Sequence, residues 1–443
     1  MNTTFDEHPT VKTVRERLAS RTASQSLEAG WLREVCLEAG ADDVGFVSLR
    51  RPEMNDQRED ILRAFPPTRN AISIVCRMNR ENIRNPARST ANVEFHHAGD
   101  HTNEVARRIV RILEGRGVRA FYPAAGFPME FERPRIWLVS HKPIAIAAGL
   151  GQMGIHRNVI HPKFGSFILL GTVLVGADIT EDSEPVDYNP CLECKLCVAA
   201  CPVGAIGADG HFNFTACYTH NYREFAGGFS DWVDNVVESR SRAEYRARVS
   251  RAETGSVWQS LSFGANYKAA YCLAVCPAGE DVLAPFLQDR KGFVAETVRP
   301  LQDKVEPVYV VKGSDAEAHV RKRFPHKRPR LVHNGLAPQS IALFLRFLPI
   351  AFQREQAAGL NATFHFRFAG DEQTEATVII RDKTVRVESG LQGTADMLVR
   401  ADARTWIRIL NRETTIVWAL LRRKIRLRGS PKWLLAFSKC FPG

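Results

Sequence analysis

The sequence predicts an α/β and α+β multidomain protein, with an α/β core in the first half and a smaller domain at the end. A chain of 443 residues, 44% of them hydrophobic, supplies two or three separate cores. Helical and strand patterns alternate up to about residue 185, and strand patterns return after residue 339. Between these regions, seven of the ten cysteines fall within positions 191 to 276. We therefore expect an extension (1–26), a core (27–185), a cysteine-rich module (186–285) with an insert (222–264), a linker (286–338) and a C-terminal domain (339–443).

The core region alternates between helix and strand patterns. Apolar spacing predicts a helix over 27–40, and Asp43–Val47 has the pattern of a short strand. The mostly apolar run Ala71–Cys76 predicts a buried parallel strand. We expect Phe95–His101 to be a polar loop before a helix over Asn103–Gly115, with His101 near its N-cap. The three histidines of this loop also allow a metal site, because such loops lie at the ligand-binding edge of α/β sheets.

Four cysteines form the most specific motif of the chain. Their spacing is C-x2-C-x2-C-x3-C-P, with thiols at Cys191, Cys194, Cys197 and Cys201. This is the run that holds iron–sulfur clusters in bacterial ferredoxins. A structural zinc site would favour two distant cysteine pairs, and disulfides would favour an exported protein. The motif therefore predicts electron transfer.

Composition and charge add weaker constraints. The three cysteines outside the module, Cys36, Cys76 and Cys440, are expected to be buried small hydrophobic residues. The N-terminal sequence has no apolar export segment and no run is long enough to span a bilayer, which predicts a cytoplasmic protein. The net charge of +11 suits an anionic ligand, nucleic acid or a lipid surface, and equally a solvated surface.

A glycine-rich stretch precedes the cysteine module. Gly149, Gly151 and Gly154 spell G-x-G-x-x-G, but no convincing strand precedes them, so a nicotinamide site is weakly supported. The stretch KPIAIAAGLGQMGIHRNVIHPKFGSF, followed by the cysteine run, resembles the cobalamin-dependent reductase superfamily of reductive dehalogenases and epoxyqueuosine reductase. The resemblance covers roughly residues 27 to 285. It implies a nitroreductase-like corrinoid-binding core in which Gly149, Gly151, Gly154, Phe164 and Gly165 line a cobalamin site.

The resemblance also implies catalytic positions. Lys142 falls where dehalogenases place a basic residue near the substrate, and His101 lies near the position of a proton donor. The alternatives are a solvated lysine before a proline and a capping histidine. The catalytic aspartate of the epoxyqueuosine enzyme has no clear counterpart between Phe131 and Ser140, which makes a tRNA substrate the weaker expectation.

The same resemblance implies two iron–sulfur clusters with unequal ligand sets. The second cluster is one ligand short, because Ala269 stands where the family has a cysteine. It is therefore expected as a 4Fe-4S cluster with a borrowed ligand, for example from His220, or as a 3Fe-4S cluster. The first 4Fe-4S cluster takes Cys191, Cys194, Cys197 and Cys276, and the second takes Cys201, Cys217 and Cys272.

The C-terminal region, residues 339–443, resembles the sterol-carrier-protein fold, which encloses an apolar tunnel for sterols or acyl chains. The alternative is a docking domain with a filled core. Lys424, Arg426 and Arg428 alternate with apolar residues, which indicates one charged strand face, either solvated or in peripheral contact with lipid. The predicted elements are a helix over Ile341–Leu348, strands over Ala362–Phe368, Ala376–Arg381 and Thr384–Glu388, and helices over Ala403–Leu410 and Thr414–Leu421.

These observations favour an enzyme. We expect an iron–sulfur oxidoreductase, corrinoid-dependent, that removes a halide or oxygen substituent from a hydrophobic small molecule. Its electron donor would be a reduced ferredoxin or flavodoxin-type protein. An electron-transfer or lipid-binding protein without corrinoid is the alternative. An epoxyqueuosine-type reductase acting on tRNA is the lesser alternative, because the C-terminal domain stands where a tRNA-binding extension is expected, and nucleic acid is thus not the expected partner.

Overall fold

A computed structural model describes residues 5–19, 26–129 and 137–443 of the chain. Contacts divide the chain into two compact units. The first unit comprises residues 1–77, 97–152 and 168–189, and the second comprises residues 78–96, 153–167 and 190–443. The expected aspartate position between Phe131 and Ser140 lies largely outside the described residues.

The first unit is built around a four-stranded antiparallel sheet. Its order is Asp43–Ser48, Asn70–Arg77, Ile168–Val175 and Ala120–Phe121. The prediction that Ala71–Cys76 is a buried strand is confirmed, but the prediction that it is parallel is wrong. An apolar run indicates that both faces of a strand are covered. It does not indicate whether the strand is parallel or antiparallel to its neighbours. The helices of the first 153 residues are Pro9–Ala19, Ala29–Glu38, Asn55–Ala64, Arg80–Arg84, Arg88–Gly115 and His141–Ala147.

A 28-residue helix, Arg88–Gly115, replaces the predicted loop and shorter helix. Ala91, Phe95, Ala98, Thr102 and Val105 are all buried along it. Their spacing of three or four residues forms one continuous stripe, so the helix continues through the histidines. The prediction of a polar loop over 95–101 is wrong, and His101 lies in mid-helix instead of at an N-cap.

In the second unit, short helices carry the cysteines and an insert packs beside them. The insert has three helices, Ala226–Glu238, Arg242–Arg248 and Arg251–Phe263. Buried Arg223 holds two of them, because its guanidinium lies 2.7 Å from Asp231 and 2.9 Å from Glu253. The other elements of this region are Gln152–Met153, which pairs with Val159–Ile160, and helices Leu196–Ala200, Phe214–Asn221, Tyr271–Ala274 and Glu280–Gln288.

The segment 286–338 is folded, although its composition predicts a linker. Strand Pro307–Val310 pairs in parallel with Arg328–Leu331, and helix Asp315–Arg323 connects them. Two short helices, Arg290–Phe293 and Arg299–Gln302, precede the strands and flank a π-helical turn over 294–298. The apolar residues of segment 286–338 are few but concentrated in these elements. The average composition of the segment therefore does not indicate that it is folded.

The C-terminal elements agree closely with the sequence prediction. Helix Ile341–Ala351 packs on a five-stranded sheet. In order, the strands are Thr384–Ser389, Thr374–Arg381, Ala362–Ala369, Met397–Asp402 and Ile425–Arg428, and only the third and fourth pair in parallel. Helices Ala403–Leu410, Ile416–Leu421 and Pro431–Cys440 complete the domain. Over the described residues of the whole chain, no helix is long and apolar enough to cross a bilayer.

Candidate iron–sulfur centre

The four cysteines assigned to the first cluster line one small cavity. Cys191, Cys194 and Cys197 belong to a loop that wraps tightly, with positive φ angles of 48° at Glu193 and 61° at Lys195. The fourth, Cys276, follows the short helix Tyr271–Ala274, which packs against Leu196–Ala200. Four sulfur donors around one cavity suit a cubane cluster.

The chemistry of these thiols also suits a metal cluster. Burial raises the pKa of Cys276 to about 11, and burial followed by the neighbouring cysteines raises the pKa of Cys197. Without a cation, four thiolates close together, two of them buried, are unfavourable, whereas iron supplies the compensating positive charge. The residues present therefore fit a 4Fe-4S group.

The second ligand set is less regular. Cys201 is buried, and its sulfur accepts the backbone N–H of Ala205 at 3.3 Å. Burial is the main reason why the pKa of the Tyr222 hydroxyl is raised. Cys217 and Cys272 both lie close enough to raise this pKa further. The missing thiol position, Ala269, is buried.

Two neighbours of this second set are fixed by hydrogen bonds. Asn221 Oδ1 accepts the N–H groups of Ala269 and Ala270, at 3.1 and 2.7 Å. His220 is 1% exposed, and its Nδ1 accepts the N–H of Tyr309 at 3.3 Å, which leaves the proton of the neutral ring on Nε2. Nε2 is buried and has no hydrogen-bond partner among the described residues. A nitrogen that binds iron carries no proton, so a role of Nε2 as an iron ligand would require the proton to leave this atom. The assignment of His220 stays a prediction.

Two arginines lie near these cysteines. Arg84 is the last residue of the short helix Arg80–Arg84, and Arg88 is the first residue of the long helix. Arg84 Nε donates to the carbonyl of Ala274 at 3.3 Å, and Cys276 is among the charges that act on its guanidinium. Arg88 is 8% exposed, and Cys272 acts on it in the same way. Each arginine is therefore near a ligand of a different expected cluster.

The glycines expected at a corrinoid fall in both units, Gly149 and Gly151 in the first and Gly154 and Gly165 in the second. Gly149 has φ 75°, and a Cβ there would lie 2.3 Å from the carbonyl oxygen of Glu184. Gly165 has φ 66°, and a Cβ there would lie 2.0 Å from another carbonyl, that of residue 278. Contacts within each unit thus explain why these two positions require glycine. The two glycines therefore give no independent evidence that cobalamin binds.

The remaining cofactor candidates have similar local roles. A Cβ on Gly154 would lie 2.7 Å from the side chain of Ile160. The Phe164 ring stacks on His161 with centroids 4.6 Å apart. Gly151 has φ 142°, a conformation that favours glycine.

The two predicted catalytic residues are both exposed and both lie in the first unit. Lys142 is the second residue of helix His141–Ala147. His101 Nε2 lies 3.1 Å from the carbonyl of Gly40. Across the described part of the chain, no three His, Cys, Asp or Glu side chains lie close enough together to hold a single metal ion, and His96, His97 and His101 thus form no such group.

His141 is a polar group that the sequence analysis overlooked. Its Nδ1 lies 2.9 Å from Thr172 Oγ1 and its Nε2 lies 3.1 Å from the carbonyl of Ala124. Burial lowers the pKa of this imidazole, so the neutral form is favoured. Its position immediately before Lys142 was the only sequence signal for it.

The C-terminal domain has an aromatic core, and the expected tunnel for sterols or acyl chains stays a prediction. Phe344, Phe366, Phe368 and Trp406 are buried and in mutual contact, with ring centroids 5.6 to 6.2 Å apart. Phe437 packs on the same group. The indole Nε1–H of Trp406 is buried without a hydrogen-bond acceptor among the described residues. An unpaired buried donor is unfavourable, so this N–H is a polar group that the domain itself leaves uncompensated among the described residues.

Two family models match the chain. Residues 184–207, which include the four-cysteine run, match the 4Fe-4S binding domain. Residues 347–442 match the SCP-2 sterol transfer family. Both matches agree with the sequence prediction of an iron–sulfur module and a sterol-carrier-like domain.

Relatives of known name are similar over shorter stretches. The epoxyqueuosine reductase of Lactococcus garvieae is 38% identical over 77 residues, which are 17% of this chain and 21% of the relative. The epoxyqueuosine reductase of Escherichia coli is 38% identical over 102 residues, 23% of this chain and 26% of the relative. The chain spans about a quarter of the length of the relatives it matches.

Solved structures of the same two enzyme types are similar at a lower level. An epoxyqueuosine reductase from Streptococcus thermophilus is 16% identical with a TM-score of 0.33, and covers 61% of this chain and 74% of its own. A reductive dehalogenase is 14% identical with a TM-score of 0.35, covering 52% and 35%. At these TM-scores the structural likeness carries no argument. From the sequence matches, the chain combines a 4Fe-4S binding module, a stretch similar to epoxyqueuosine reductases, and a domain that matches the SCP-2 sterol transfer family.

Proposed function

We propose that the protein is an iron–sulfur reductase of the epoxyqueuosine reductase and reductive dehalogenase type. The arrangement of Cys191, Cys194, Cys197 and Cys276 around one cavity carries the proposal. The 4Fe-4S family match supports it independently. When bound, each cluster accepts and passes on single electrons, and a chain with two such groups is suited to relay electrons from a donor protein to a reducible substrate.

The residues around the cysteines have defined roles in this proposal. Backbone N–H groups following Cys201 donate to its sulfur, which stabilises negative charge there. Arg84 and Arg88 add positive charge near Cys276 and Cys272. Buried apolar residues such as Ala274 and Val275 exclude water from the same region. These features favour electron uptake in a protected site.

The comparisons give a nucleic-acid substrate more support than the sequence did. The relatives are named epoxyqueuosine reductases, which favours reduction of an epoxide on tRNA over dehalogenation of a small molecule. The basic net charge is compatible with that substrate. The match at residues 347–442 and the unpaired Trp406 donor favour a second candidate, a hydrophobic molecule with one polar atom.

The only support for cobalamin as a cofactor is the sequence resemblance to cobalamin-dependent reductases. The direct test is the visible spectrum of anaerobically reconstituted protein mixed with cobalamin. Appearance of base-off absorption on binding supports a corrinoid-dependent reductase. An unchanged cobalamin spectrum, with both clusters present, leaves an iron–sulfur protein that uses another electron acceptor.

A parallel assay separates the substrate classes. Reconstituted protein, reductant and cobalamin are incubated with epoxyqueuosine-containing tRNA, and separately with halogenated or epoxidised lipophilic compounds. Cys194→Ser, which removes one ligand of the first cluster, is the control for electron supply. Cys194-dependent conversion of either substrate supports the reductase proposal and identifies the class, whereas no conversion by cluster- and cobalamin-loaded protein counts against it.

A further inference from the structure

One surface of the C-terminal domain exposes a short apolar helix beside a basic turn. In helix Ile416–Leu421, Val417 is 63%, Trp418 41% and Leu421 79% exposed, while Ala419 is buried. This is an unusual density of large exposed hydrophobic side chains for six residues. We call Val417, Trp418, Leu420 and Leu421, together with the basic residues that follow them, the Trp418 surface.

The basic part of this surface is concentrated in the next seven residues. Arg426 and Arg428 point outward on strand Ile425–Arg428, whereas Ile425 is buried, as the alternating pattern predicted. The chain from residue 414 to its end has seven Lys and Arg residues and no Asp or Glu. The cations of the surface are Arg422, Arg423, Lys424, Arg426 and Arg428, all exposed.

The apolar and basic parts are adjacent in space. Arg422 lies over the Trp418 ring, 5.8 Å from its centroid. The N–H of Lys424 donates to the carbonyl of Ala419 at 2.9 Å, which folds the basic turn back against the helix. No salt bridge joins Arg422, Arg423 or Arg426 to any residue in the described ranges. Their charges are therefore available to a partner.

We propose that the Trp418 surface docks the protein on anionic membranes. Segments that bind at a membrane interface typically combine tryptophan and leucine with neighbouring arginine and lysine. Their apolar side chains enter the acyl boundary, and their cations contact the lipid headgroups. Long basic side chains reach the headgroups while their stems stay beside the apolar residues. This inference stands independently of the proposed reductase activity.

Two other occupants fit the Trp418 surface less well, one because of its charge and one because it offers no apolar contacts. A second copy would bring two surfaces of the same positive sign together, which is unfavourable. A nucleic acid would satisfy the cations but would leave Val417 and Leu421 without apolar contacts. A lipid surface with anionic headgroups satisfies both parts of the Trp418 surface at once.

The test is flotation of the full-length protein with vesicles of phosphatidylcholine alone or with added phosphatidylglycerol, over a range of salt concentrations. We expect binding to the anionic vesicles that decreases as salt rises. Leu421→Asp should weaken this binding at least tenfold, because the change removes an inserted apolar side chain and adds a repelled charge. The matched control is Leu261→Asp, which makes the same charge change at a side chain 65% exposed on the insert.

Three results would overturn the proposal. One is no binding of wild type to phosphatidylglycerol vesicles at low salt. Another is equal loss of binding in Leu421→Asp and Leu261→Asp, which would indicate a general charge effect. The third is a dimer of wild type, seen by light scattering, that Leu421→Asp abolishes while vesicle binding is unchanged.

Discussion

Replacing Arg88 by methionine should lower the reduction potential of the second iron–sulfur cluster. The Arg88 Nη1 group donates to the carbonyls of Ile83 and Asn85, both at 3.1 Å. Its Nε and Nη2 groups are buried and have no acceptor among the described residues. The nearby Glu306 carboxylate already lies 2.8 Å from Lys327 Nζ and 3.2 Å from that of Lys304. The guanidinium thus lacks a dedicated anion until the cluster provides one.

Coulomb's law gives the size of the effect. A unit charge about 8 Å from an added electron contributes about 2 kcal/mol at an effective dielectric constant of about 20. This corresponds to a change of more than tenfold in the reduction equilibrium, or about 90 mV for a one-electron couple. The shift should be larger for the cluster held by Cys272, because Cys272 is among the charges that act on Arg88, whereas Cys276 acts on Arg84.

The assay is a redox titration of reconstituted protein followed by electron paramagnetic resonance, after iron content has been matched. Arg88→Lys is the control, since it keeps the charge and should keep most of the potential. An unchanged or higher potential in Arg88→Met would rule out this electrostatic role for Arg88. So would an equal shift in both clusters.

Three further predictions concern other parts of the chain. Arg223→Met should lower the free energy of unfolding by about 3–5 kcal/mol, because it leaves Asp231 and Glu253 as unpaired buried carboxylates; a lower denaturant midpoint checks this, and an unchanged midpoint contradicts it. Ala269→Cys should give the second cluster four cysteine ligands, and iron analysis should then find two 4Fe-4S clusters; if wild type already shows two conventional clusters, an unrecognised ligand exists. Trp406→Phe should change stability by less than about 1 kcal/mol in the absence of ligand, since the indole donor is already unpaired, but should weaken any sterol or fatty-acyl probe that bonds to it; equal probe affinity would exclude that contact.

The sequence predicted local elements better than their context. In the C-terminal domain, strand alternation over Ala362–Ala369 and Thr374–Arg381 located both strands within two residues. The burial of Cys36, Cys76 and Cys440 is also confirmed, because a cysteine in an apolar pattern behaves as a small hydrophobe. These are properties that neighbouring residues determine.

Features set by distant parts of the chain were missed. The direction of strand Asn70–Arg77 depends on partners on either side of it in the sheet, which an apolar run does not specify. The approach of Arg84 to Ala274 joins residues 190 positions apart, so no local pattern could indicate it. The histidines at 96, 97 and 101 obscured a helix whose buried stripe is clear only when all of 88–115 is considered together.

Iron and sulfide analysis of anaerobically reconstituted protein, together with its electron paramagnetic resonance spectrum, would show whether this chain holds two unequal iron–sulfur clusters. We expect about seven or eight iron atoms per chain and two distinguishable signals, both on reduction if the second cluster is 4Fe-4S, or one in the oxidised and one in the reduced protein if it is 3Fe-4S. Cys194→Ser should remove the signal of the first cluster and retain that of the second. About four or fewer iron atoms with a single signal in the wild type would show that the chain holds only one cluster.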